Sequence, residues 1–232
     1  MAARHGGRGG RSAGRGREAV RRPEVVLPPL RAFDGPGLEP EGDYDGLEFA
    51  DLDLGGQHGP GARFLDCALR RAGLDEAGLS RARFIDSVLV EVRGVGADLS
   101  GATLRDVELR DARLGGIQLH GARLERVLVR GGKLDYLNLR SAALRDVVFE
   151  DCVLVEPDFG GAHLERVAFP GCELRGADFS GARMSGADLR EAARVDIARG
   201  VDALAGALIT PDQLLELAPV FAAHLGVRVE PT

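Results

Sequence analysis

The stretch 172-CELRGADFSGARMSGADLR-190 decides the fold. Leu174, Phe179, Met184 and Leu189 fall five residues apart, and each is preceded by two places by a small residue: Cys172, Ala177, Ala182 and Ala187. An α-helix repeats its apolar side at i, i+3, i+4 and i+7, and a half-buried strand at every second residue. Five helical steps rotate each apolar residue away from the last, and five strand steps put it on the opposite face. Neither regular element accommodates a period of five.

The period extends far upstream. Counting back from Leu189 to Phe49 gives 29 positions, of which 27 carry a large apolar residue and only Gly59 and Gly94 do not. No insertion or deletion interrupts the count. Repetition at a short fixed period means a solenoid. If the chain turns a corner in each pentad, every large residue points to one axis, and the small residue two places earlier shares its strand parity and points inward too. Gly, Ser and Asp gather where the corners fall, as turns require. Four corners close a coil of twenty residues, and the pentads make about seven coils stacked at about 4.8 Å, a rod of roughly 35 Å.

The runs GADLSGATL (96–104) and GADFSGARM (176–184) resemble the pentapeptide-repeat proteins, and the resemblance covers residues 44–200. It implies an all-β fold, a right-handed quadrilateral parallel β-helix, here with a short α-helical C-terminal cap. Some members of that family resemble DNA in shape and charge, bind type II topoisomerases and confer fluoroquinolone resistance. The resemblance therefore implies DNA gyrase as a candidate protein partner.

The ends are of different material. Residues 1–22 hold seven Arg and one Glu among Gly and Ser. So little apolar surface cannot offset the entropy of ordering, which predicts a disordered basic arm. Arg4, Arg8, Arg11, Arg15 and Arg17 are its candidate nucleic-acid contacts, without the aromatic residues that stack on bases. Residues 23–43 are a Pro-rich linker whose Val25, Val26, Leu27, Leu30 and Phe33 are expected to cover an open core end. Residues 201–232 carry a helix signal. Thr210 is the N-cap, Pro211 the first helical residue and Gln213 the second half of a capping box, with Gly226 as the stop. Pro219 should kink or split the helix. The stripe Leu214, Leu217, Phe221 and Leu225 either caps the solenoid or forms a homodimer interface.

Composition narrows the chemistry. The chain has 232 residues, a net charge of −6 and three Cys. Three cysteines are too few for a disulfide framework, and no apolar run approaches the ~20 residues of a membrane span. With no recognisable signal peptide, a cytoplasmic location is expected. Cys67, Cys152 and Cys172 occupy inward small positions and read as core residues, Cys152 and Cys172 one coil apart. The five histidines lack metal-ligand spacing, and no phosphate loop or dinucleotide fingerprint is present. The expectation is a non-enzyme without cofactor or metal.

Candidate contacts lie on the outer columns. Glu91, Glu108, Asp111, Glu150 and Asp151 belong to the most acidic face, and Asp98, Asp158 and Asp178 form a smaller acidic column separated by whole coils. Residues 44–190 hold 24 acidic and 19 basic residues. DNA carries about one charge per 1.7 Å, so duplex mimicry would need roughly 20 net negatives over that length. Val88, Leu128 and Val148 sit just before inward residues and form an outward apolar column, the mark of a contact surface if they connect. The leading expectation is therefore a binding or scaffold protein acting through its outer faces. Gyrase binding and nucleic-acid contact through the arm are the alternatives.

Overall fold

In the computed structural model, which describes residues 19–230, the pentads form a quadrilateral parallel β-solenoid. The cause is visible in one column: Tyr44, Phe64, Phe84, Leu104, Leu124, Leu144, Leu164 and Met184 follow one another in register, each twenty residues after the last. Eight coils are thus stacked, one more than the pentad count suggests, because Tyr44 supplies a core aromatic ahead of Phe49. Most inward positions are closed to solvent, and Leu104, Leu109, Leu114 and Leu119 of one coil are half-buried. Stacked rings continue the ladder, with Phe64 and Phe84 at 4.5 Å and Phe149 and Phe169 at 5.3 Å between centroids.

The corners explain the period. Two residues after each large inward residue the backbone enters the left-handed region, at Asp66, Asp86, Asp106, Arg126, Asp146 and Arg166 on one edge and at Glu91, Asp111, Gly131, Asp151 and Gly171 on the next. Glycine adopts such φ freely and Asp tolerates it, which is why both cluster there. Eight-residue strands such as Arg123–Arg130 and Ala143–Glu150 carry two pentads round a corner, so one eleven-stranded sheet wraps two faces. The shorter strands Arg93–Val95, Arg113–Gly115, Lys133–Asp135, Val153–Val155, Glu173–Asp178 and Arg194–Arg199 build a second, six-stranded sheet. The register breaks where Glu173 pairs with Arg194, 21 residues on, so one extra residue ends the strict count.

Both ends are closed by the chain itself. Phe33 stacks on Phe49 at 4.4 Å and Leu38 is buried beside it. At the other end the helix Pro211–His224 opens with the expected capping box, Gln213 N–H donating to Thr210 Oγ1 at 3.1 Å and Thr210 N–H to Gln213 Oε1 at 2.9 Å. Gln213 does more than the sequence indicated: its Nε2 donates to the carbonyl of Leu189 at 2.7 Å, tying the helix to the last inward position of the solenoid. Pro219 does not split the helix, which runs unbroken from Pro211 to His224. Gly226, at φ 71°, ends it with Val227 N–H bonded to Ala222 O, a Schellman closure. No helix among the described residues is long and apolar enough to cross a membrane.

Candidate functional site

The outward apolar column differs from expectation. Val88, Leu128 and Val148 do stand between inward residues, yet they are only 7%, 6% and 2% exposed. At Val148 the cover is the chain's own N-terminal segment, whose anchors carry it along this column. Arg21 N–H donates to Asp146 Oδ1 at 3.2 Å and the Arg22 guanidinium pairs with Glu150 at 2.6 Å. Ten residues later, Arg31 N–H donates to Gly46 O at 3.0 Å, and the strand Arg31–Ala32 pairs with Leu47–Ala50. Gly46 and Asp146 occupy one corner column five coils apart, about 24 Å, which ten residues cross only when nearly extended. Burial alternates along this strap: Pro23 is buried, Val25 and Leu27 half-buried, and Glu24, Val26 and Pro28 exposed. Val20 and Val148 line one cleft.

Three expectations are corrected by this strap. The column is an internal seam rather than an open contact surface. Residues 19–22, expected in the disordered arm, lie on the solenoid. Val25 to Leu30 cover its side, leaving Phe33 to cover the end. The candidate nucleic-acid residues Arg4, Arg8, Arg11, Arg15 and Arg17 lie outside the described residues.

Part of the acidic face is neutralised. Stacked corners pair at twenty-residue spacing: Arg71 with Asp51 at 2.6 Å, Arg126 with Asp106 at 2.6 Å, and Arg166 with Asp146 at 2.7 Å. The Arg166 hydrogen bonds hold the Asp146 carboxyl below the usual carboxylate range, against the opposing effect of its burial. Glu108 pairs with Arg110, and Glu150 with Arg130 as well as Arg22. Glu91, Asp111 and Asp151 remain exposed at one corner column. Asp111 and Asp151 lean along the rod over Gly131 and Gly171, whose missing side chains leave room for them.

The smaller column holds Asp98, Asp158 and Asp178, but Gln118 and Asn138 fill the coils between, joined by Asn138 Nδ2 donating to Gln118 Oε1 at 2.7 Å. Each aspartate accepts a backbone N–H two residues on, from Ser100, Gly160 and Ser180 at 2.8–2.9 Å, and so serves its own corner.

All three cysteines point inward and are free and buried. Burial pushes the Cys67 thiol up to about 11. Cys152 N–H donates to Cys172 Sγ at 3.4 Å, as stacked core positions require, and the Cys172 sulfur together with burial raises the Cys152 thiol. Among the described residues no group of His, Cys, Asp and Glu is arranged to hold a metal ion.

The apolar stripe of the C-terminal helix divides. Leu217 is 2% exposed and Phe221 packs on the core, so these two cap the solenoid. Leu214 and Leu225 face away from it, together with Leu215, Val227 and Val229; these five are 50–77% exposed.

Comparison with known proteins agrees with this architecture. Residues 62–139 match the model of the pentapeptide repeat region, and residues 158–192 that of pentapeptide repeats. Among solved structures, full-length QnrB1, a plasmid-mediated fluoroquinolone resistance protein, is 18% identical, with 80% of this chain and 100% of that one covered and a TM-score of 0.31. HetL, a pentapeptide repeat protein involved in heterocyst differentiation regulation from the cyanobacterium Nostoc sp. strain PCC 7120, is 22% identical, with 73% and 90% covered and a TM-score of 0.23. No curated protein matches the sequence. With the inward pentad ladder, the left-handed corners and both matched regions in agreement, the chain belongs to the pentapeptide-repeat family.

Proposed function

We propose that the chain is a non-catalytic binding protein that associates with protein, first with a second copy of itself, through its helix-capped end. The observation that carries this reading is the concentration of exposed apolar side chains there: Leu214, Leu215, Leu225, Val227 and Val229, five of the eight large exposed hydrophobics among the described residues. An apolar patch of this kind marks a contact surface. Many of the remaining surface charges are paired, and the thiols are sealed in the core, which supports a recognition role over a catalytic one. Sedimentation equilibrium tests the reading. Wild type should dimerise at low micromolar concentration and Leu215→Asp/Leu225→Asp should be monomeric with unchanged circular dichroism. A wild type that stays monomeric at tens of micromolar would overturn it.

A DNA-mimic contact with gyrase draws support from one column only. Glu91, Asp111, Asp151 and Glu191 follow one corner over five coils, about 24 Å. One DNA strand carries about seven phosphates over that distance. Four carboxylates against about seven phosphates make a weak mimic. Gyrase supercoiling titrated with the protein is the direct test, and inhibition lost in Asp111→Arg/Asp151→Arg would raise this reading above the first.

A further inference from the structure

The geometry points to a nucleotide-binding recess on the six-stranded face. It originates in two glycines at inward positions. Gly94 interrupts the ladder of large core residues, and Gly132 takes a small inward position held in the same column by Ala72, Val92, Ala112, Cys152 and Cys172. A Cβ at Gly94 would lie 2.7 Å from the Leu74 carbonyl carbon, and one at Gly132 2.1 Å from the Ala112 oxygen, so both coils settle onto their neighbours. The result is a shallow recess of about 700 Å³ whose floor includes Leu114, a core residue left half-buried, and Gly115.

One side of the recess is cationic. Register places Arg93, Arg113 and Lys133 on successive coils. Three corner arginines each find an acid one coil away, in Arg71–Asp51, Arg126–Asp106 and Arg166–Asp146. Here like charges stack, which costs stability unless a counter-charge is supplied. Lys133 Nζ takes Asp135 Oδ2 at 2.7 Å. Among the described residues no carboxylate closes an ion pair on Arg93 or Arg113, although Glu91 and Asp111 line their far side. The cationic run is bounded. The ladder passes through Gly73 to Asp53 in one direction and through Val153 to Glu173 in the other. A polymeric anion would meet a carboxylate at each end, whereas a short oligophosphate fits between them.

The opposite side suits a nucleoside. Val95, in the recess lining, is 64% exposed. With Leu114 it offers apolar surface to a base. Asp135 Oδ1 is buried with no hydrogen-bond partner among the described residues, an acceptor that a ligand hydroxyl or amino group would satisfy. Phosphates would lie on Arg93 and Arg113 and a nucleoside over Val95 and Leu114; Asp75, which also lines the recess, is held by the Val95 N–H at 2.8 Å. The ligand class is a nucleoside di- or triphosphate.

Isothermal titration of the full chain with ATP, GTP and inorganic tripolyphosphate at low ionic strength tests this. ATP or GTP should bind saturably at one site per chain, more tightly than tripolyphosphate. Arg93→Ala or Arg113→Ala should weaken that binding at least tenfold, and so should Gly115→Leu, which fills the floor without altering charge. Gly115 has open backbone geometry and only an ordinary 3.6 Å contact to Val95, so the last variant folds. Arg140→Ala, on another face, should bind as wild type. Absence of saturable binding would overturn the proposal, as would binding that survives all three recess variants. Tripolyphosphate binding as tightly as ATP and GTP would overturn the nucleoside half.

Discussion

Asp146 and Arg166 stand one coil apart at left-handed corners, and the guanidinium closes on the carboxylate through hydrogen bonds of 2.7 and 2.8 Å. The same carboxylate accepts Arg21 N–H, so the pair is also the first anchor of the strap. Their side chains are only 3% and 13% exposed, which makes this a buried pair rather than a surface one.

Breaking it should be costly. Asp146→Ala removes two hydrogen bonds from a largely buried guanidinium that keeps Glu165, and should lower stability by about 3 kcal/mol, read from the urea midpoint. The effect depends on acid. Because the native carboxyl titrates below its unfolded value of about 3.9, the native state binds fewer protons, and the pair's contribution is complete above that pH. It is lost as pH falls through the native value. The stability gap between wild type and Asp146→Asn should therefore shrink below pH 4. A gap independent of pH would contradict the pairing.

The strap predicts two different outcomes from two aspartates. Leu128→Asp places a charge in a closed seam and should destabilise by about 3 kcal/mol. Pro23→Asp should instead lift the strap while the coils persist. Far-ultraviolet circular dichroism would be retained, dye binding to apolar surface would rise, and proteolysis would begin between residues 19 and 30. Unchanged dye binding in Pro23→Asp would show that the strap does not seal the seam.

Thiol chemistry reports on the core. Native protein should resist maleimide at Cys67, Cys152 and Cys172 for hours at pH 7, and denatured protein should react at all three within minutes. Burial, and for Cys67 a thiol near 11, leaves almost no accessible thiolate. Rapid native labelling of any one would contradict its inward placement.

Glycines with left-handed backbone are not equivalent. Gly132→Ala drives a Cβ to 2.1 Å from the Ala112 carbonyl oxygen at φ 86° and should cost about 3 kcal/mol or more. Gly121→Ala meets nothing within 4 Å and should cost only the left-handed backbone term, about 1 kcal/mol. Equal thermal shifts would contradict the close coil contact at Gly132.

The solenoid was legible because its period is written in the core: Leu and Phe every fifth residue leave one way to turn the chain. Closure of the C-terminal helix was legible from Thr210, Gln213 and Gly226 for the same local reason. The strap was not. Arg21 and Asp146 are 125 residues apart, and nothing in Val88, Leu128 or Val148 says whether solvent or chain lies above them. Proline 219 misled because its propensity is an average, while here both ends of the helix are independently fixed. The recess escaped notice because Gly94 reads as a simple gap in a pattern until its neighbours Arg93, Arg113 and Lys133 are stacked.

The strap also limits how this protein can lengthen. Repeat proteins grow by duplicating whole units, here twenty residues. Ten extended residues reach about 33 Å and the anchors at Gly46 and Asp146 stand about 24 Å apart. One duplicated coil between the anchors would still be spanned; a second would tear one anchor away. A duplication outside that interval meets no such limit. The N-terminal segment is thus a ruler for the coils between its two anchors.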